Sequence, residues 1–93
     1  MRSYELVTIF PTEEELFRQG KEAVSAEVTR QGGTVTKEDD MGERALAYPV
    51  KARPRGHYVL FNIELSPDKV IAAEKVFKLD TNILKYSFVR VEA

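Results

Sequence analysis

The nine residues HYVLFNIEL, 57–65, carry the strongest strand pattern in the chain and constrain its fold more than any other stretch. Val59, Phe61 and Ile63 share one parity while Tyr58 and Leu60 share the other, so a strand built from them offers apolar groups on both faces. Such a strand belongs in the middle of a sheet. What covers each of its faces depends on the other elements, and the chain supplies few of them.

SYELVTIF, 3–10, is a second run rich in β-branched and aromatic residues, and it stops at Pro11. Thr12 then offers an N-cap with Glu15 three residues later, a capping-box pattern, and Glu13 and Glu14 favour the positive end of a helix dipole. The spacing predicts a helix up to Gly32 and Gly33. Leu16, Phe17, Gly20, Val24 and Val28 form its apolar stripe, and Glu22, Glu27 and Arg30 face water. Gly20 costs a helix about 1 kcal/mol relative to Ala, which points to close backbone packing there.

TVTKEDDMGERALAYPV, 34–50, reads as a long strand with a polar first half and a bulge or bend at Gly42. Pro49 cannot donate to a ladder, which assigns this strand to a sheet edge. Ser66, Pro67 and Asp68 open a second helix with Val70, Ala73, Val76 and Phe77 as its inner stripe. DTN at 80–82 ends it, and ILKYSFVRVE, 83–92, closes the chain as a fourth strand.

The order strand, helix, strand, strand, helix, strand predicts an α+β, ferredoxin-like βαββαβ fold. With right-handed crossovers it gives a four-stranded antiparallel sheet with two helices on one face, as a single domain over 1–93. Parity puts Leu6, Phe10, Val59, Phe61 and Ile63 toward the helices and Val7, Ile9, Tyr58 and Leu60 on the open face. A contiguous apolar patch there implies a protein-partner surface. The plain alternative is a scatter of exposed apolar residues, which is common on monomers.

Ninety-three residues suffice for one small core, and 43% apolar with 31% charged residues is a folding composition. The absence of Cys excludes thiol catalysis and thiolate metal sites and suits a reducing compartment. MRSYELVTIFPTEEE, with its short apolar run and three glutamates, resembles neither a signal peptide nor a membrane span, so a cytoplasmic protein with no membrane partner is expected. His57 is the only histidine and has no nucleophile, metal-ligand or phosphate-loop spacing around it. Asp39 and Asp40, adjacent on a strand, point to opposite faces. No catalytic residue, metal, cofactor or small-molecule substrate is therefore expected. Acylphosphatase-like enzymes share the topology but need an anion cradle after the first strand, where this chain has PTEEE.

The net charge of −1 conceals a polarity. Residues 1–43 hold five Lys/Arg against ten Asp/Glu, and the remainder holds nine against five. Because nucleic-acid affinity follows local charge, RNA binding is the stronger chemical reading, and an ordinary solvated surface is the plain one. Arg2, Arg44, Lys51, Arg53, Arg55, Lys85 and Arg90 are the expected phosphate contacts, with Tyr4, Tyr48 and Tyr58 available for stacking or partner contacts. RGHYVLF, 55–61, matches the RRM central-strand motif only in part, since His57 and Val59 stand where aromatics are required.

MRSYEL, GERALAYPVK, GHYVLFNIE and LKYSFVRVE together resemble bacterial small-subunit ribosomal protein six, over nearly the whole chain. The combination of Arg44, Leu46, Ala47, Tyr48 and Pro49 with a basic loop, Gly56 and Tyr58 carries more of the resemblance than any single piece. It implies a ribosome-associated, non-enzymatic protein that binds small-subunit rRNA together with small-subunit ribosomal protein eighteen. The family's basic positions match Arg2, Lys51, Lys85 and Arg90, and its open-face aromatic positions match Tyr58 and, as a departure, Leu60. Position 3, often basic in the family, is Ser3; many members continue into a charged tail, whose function is expected to be absent from a chain ending at Ala93. A different class with the same topology is a small-molecule regulatory domain of the ACT kind, which would use the open face to dimerise.

Overall fold

The computed structural model describes residues 1–91. Its elements are β1 (Arg2–Phe10), α1 (Glu14–Arg30), β2 (Thr34–Val50), β3 (Arg53–Leu65), α2 (Pro67–Leu79) and β4 (Lys85–Arg90). The strands form one antiparallel sheet in the order β2-β3-β1-β4, which makes β1 and β3 central and leaves β2, with its Pro49, at an edge. The ferredoxin-like expectation holds. Glu92, the last residue of the expected fourth strand, lies outside the described residues, and that strand begins at Lys85, two residues later than its apolar pattern suggests.

Leu6 faces Phe61 and Val7 faces Leu60 across the β1–β3 ladder, so register alone separates two faces. Tyr4, Leu6, Phe10, Val59, Phe61, Ile63 and Leu65 are buried in one cluster with Val24 and Val28 of α1 and Ala73 and Phe77 of α2. Both helices thus cover the same face. Phe10 meets Phe17 and Phe61 edge to face at 5.7 and 6.5 Å, and Thr8, fully buried on β1 between Leu6 and Phe10, donates to the Val59 carbonyl at 2.8 Å. Tyr4 is part of this core, packed against Phe88, so it is not available for stacking.

Gly20 shows why α1 tolerates a glycine in its interior. A Cβ there would lie 2.5 Å from Phe10 and 2.6 Å from the Asn82 carbonyl, so the helix sits closer to the sheet than Ala allows. The start of α1 differs from the capping-box expectation. Glu13 is the N-cap residue and no side chain caps the helix. Thr12 turns to the Glu13 carboxylate, and Glu15 is taken by Arg18 and Gln19 one turn on. At the other end Gly33 N–H donates to Val28 and Gly32 adopts φ +83°, a glycine stop just after Arg30.

Two stripe assignments also change. Glu27, expected in water, is 6% exposed, because Arg30 donates to it twice, at 2.9 and 2.8 Å, and Gln31 once at 2.7 Å. Those donors hold its carboxyl below the usual carboxylate range, Arg30 foremost. Val76, expected inside α2, is 38% exposed, since Ala73 and Phe77 already fill the space over the sheet. Ser66 is the N-cap of α2, but its hydroxyl bonds Asp68 rather than a backbone amide.

Candidate functional site

The basic segment between β2 and β3 is a hairpin rather than a loop. β2 runs to Val50, β3 starts at Arg53 opposite it, and Lys51 and Ala52 form a two-residue turn with φ of 49° and 63°. Both signs match a type I′ turn, the turn whose twist suits a hairpin. Side chains with a Cβ resist this conformation by about 1–2 kcal/mol per residue, and Lys51 Nζ anchors it by donating to the Ile83 carbonyl at 2.9 Å.

Below the turn the two arms are unequal. Ala45 pairs with Arg55 and Val50 with Arg53, so Leu46 to Pro49 on β2 oppose Pro54 alone. This large bulge carries Leu46 and Tyr48 over the open face, where they line a hollow of about 110 Å³ with Ile9, Tyr58 and Lys85. Gly56 makes the approach possible, because a Cβ there would come within 2.3 Å of Ile9 Cγ2 and 3.5 Å of Leu46. Ile9 is consequently 7% exposed: it lies on the open side, but the protein's own hairpin seals it. Val7, Tyr58 and Leu60 are half-buried in a row beside it. Val89 of β4, paired with Glu5 and 47% exposed, extends the patch; the alternation in Val89 and Val91 was its signal in the sequence.

The seven basic residues do not form one cluster. Arg44 lies with its guanidinium carbon 5.8 Å from the Tyr58 ring centre, and Lys85 Nζ is 5.8 Å from the Tyr48 ring, which is 62% exposed. Arg55, on β3 opposite Ala45, is exposed. These three and Lys51 gather at the hairpin end of the sheet. Arg53 is committed elsewhere, to an ion pair with Glu13 at 2.6 Å that lowers the carboxyl of Glu13. Arg2 and Arg90 stand at the opposite end, exposed, in register with Leu65 and Tyr4 on the helix-side parity. Sequence order could not show this separation, because the antiparallel ladder carries the N-terminus of β1 away from the hairpin.

Asp39 and Asp40 diverge as parity requires. Asp39 pairs with Leu60 and ties to Lys37, whereas Asp40 bonds His57 Nε2 at 2.5 Å. The His57 ring stacks on Phe17 at 3.7 Å, so the single histidine clasps the edge strand to α1. No group of three or more potential metal ligands is present among the described residues, and none of their helices is long and apolar enough to cross a membrane.

The topology defines a ferredoxin-like α+β protein with one covered and one open sheet face. Comparison with known proteins carries this further. A family model described as ribosomal protein S6 matches residues 3–90. The small ribosomal subunit protein bS6 of Treponema denticola is 47% identical over 92 residues, covering 99% of both chains. Its counterpart in Treponema pallidum is 41% identical over the full length of both. A crystal structure of 30S ribosomal protein S6 from Thermotoga maritima superposes with a TM-score of 0.86 at 22% identity, covering 97% of this chain and 87% of that one, and supports the fold. The chain belongs to the ribosomal protein S6 family. Membership makes it a structural, non-enzymatic protein of the small ribosomal subunit, associated with the ribosome in the cytoplasm.

Proposed function

We propose that the chain, working as one domain, binds small-subunit rRNA through its basic margins and small-subunit ribosomal protein eighteen through the open face of its sheet. The observation that carries this reading is the unequal cover of the sheet. Both helices pack on one side, while Val7, Tyr58 and Leu60 stay half-exposed on the other. Arg44 and Lys85 border that patch against aromatic rings, positioned to touch a phosphate at its rim while their stems and rings meet protein. Arg2, Arg55 and Arg90 add exposed charge, and neutralising phosphates with such residues yields affinity that is steep in salt and poor in base specificity.

An acidic chain gains from a partner that adds positive charge, so RNA should be bound more tightly by the pair than by either protein alone. Titrating the rRNA fragment with and without protein eighteen tests this, and equal affinities overturn it. Tyr58→Asp should abolish pairing while the thermal melt keeps its shape. Arg55→Ala should flatten the slope of log affinity against log salt by about one unit. Arg53→Ala, whose guanidinium already serves Glu13, should flatten it less.

A further inference from the structure

We propose that Glu5 is a polar anchor of the open face and receives an arginine side chain of the docked protein partner. Glu5 sits on the central strand β1, between Asn62 of β3 and Val89 of β4. Its parity is that of Val7, so its carboxylate leaves the sheet on the open side, flanked by Val7 and Val89. The residue is half-buried by its neighbours alone. Among the described residues it takes part in no ion pair. The nearest cation by register, Lys37 opposite Asn62, is directed to Asp39 at 3.6 Å.

In the isolated chain this carboxylate is hydrated, since among the described residues no buried side-chain oxygen or nitrogen is left without a partner. Docking changes that. A partner that covers Val7, Leu60 and Val89 must also cover Glu5, which stands among them, and an apolar cover would strip its water with nothing in return. The cover has to bring a cation to this point. Arginine fits better than lysine, because its fork can bind both carboxylate oxygens while its flat face rests on the valines and leaves the Asn62 amide free.

The same geometry discriminates among occupants. RNA is disfavoured over this part of the face by Glu5 and by Glu64, which pairs with Ser3 one row further on. A second copy of the chain, docked face to face about a two-fold running along β1, would bring like carboxylates together. A basic protein with an arginine set among apolar side chains meets both demands.

The inference rests on the partner reading above, and one experiment separates the two. The full chain is titrated with purified small-subunit ribosomal protein eighteen, as wild type, Glu5→Gln and Glu5→Lys, at two salt concentrations, with thermal melts of each variant. Loss of one member of a desolvated charge pair should weaken binding about tenfold to a hundredfold for the Gln variant. The Lys variant should lose more, and the salt dependence of binding should fall for both while the melts of wild type and Glu5→Gln agree. Wild-type binding that Glu5→Gln leaves unchanged overturns this inference alone. Failure of the wild type to bind, or its self-association through this face, overturns the partner reading and the inference with it.

Discussion

Phe61 and Leu60 are consecutive residues of one strand, and they face opposite demands. Phe61 is fully buried against Phe10 beneath the helices, whereas Leu60 lies half-covered on the open face opposite Val7 and Asp39. The helix side is closed in the physical sense: its apolar groups touch each other, and its polar groups, Thr8 and Glu27, have partners within the chain. The open side is composed differently. Val7, Tyr58 and Leu60 are half-wet, Arg44 and Lys85 lean on aromatic rings, and among the described residues Glu5 takes part in no ion pair. A sheet can therefore be stable through one face and leave the other to be completed by another molecule.

The sharpest way to break the comparison is to truncate both neighbours. Phe61→Ala should cost about 3–5 kcal/mol, the range for removing a buried aromatic and leaving a cavity. Leu60→Ala should cost no more than about 1 kcal/mol, because water already reaches the site. Urea unfolding of both variants measures the difference, and similar midpoints would show that the open face contributes to the core after all.

A smaller effect is expected where the two faces meet the hairpin. Gly56→Ala places a methyl group 2.3 Å from Ile9 Cγ2, and overpacking of this kind costs about 1–3 kcal/mol. In an Ile9→Ala background the same substitution should cost less, since the atom it meets has gone. A double-mutant cycle by denaturant unfolding reads the coupling, and strict additivity would mean that the close approach at Gly56 is not what holds the hairpin over the open face.

The two faces were unequally legible in the sequence. Parity within β1 and β3 is local, so the helix side and the open side could be read from SYELVTIF and HYVLFNIEL directly, and Pro49 announced the edge. The hairpin could not be read in that way. Its turn uses Lys51 and Ala52 in a conformation that sequence patterns assign to Gly and Asn, and Arg53 and Pro54 lack strand character, so β3 looks four residues shorter than it is. Which side chains the bulge lays over Ile9 follows from the unequal arms, a tertiary property. Glu27 and the capping of α1 went the same way: competing partners one turn along, Arg30 and Arg18, decided where those carboxylates point. The basic residues were identified by type, but their division between two ends of the sheet depends on strand direction.

Acid sharpens the comparison with the smallest effect. On the helix side Glu27 is held below its ordinary value of 4.5 chiefly by Arg30, and Asp40 below 3.8 chiefly by the His57 hydrogen bond. A carboxylate whose folded pKa is depressed binds fewer protons in the folded state than in the unfolded one, so it stabilises above its unfolded value and loses that contribution as pH falls through the lower folded one. The loss attributable to this pair should therefore begin near pH 4.5 for Glu27, near pH 3.8 for Asp40, and deepen below both. The double variant Glu27→Gln, Asp40→Asn should be less stable than wild type at pH 7 and should show a shallower fall in unfolding midpoint between pH 6 and pH 3. Because both groups lie on the covered side, its affinity for protein eighteen at pH 7 should match that of wild type. A change in that affinity would mean that the clasp of β2 to α1 is felt across the sheet, and that the two faces are coupled rather than merely back to back.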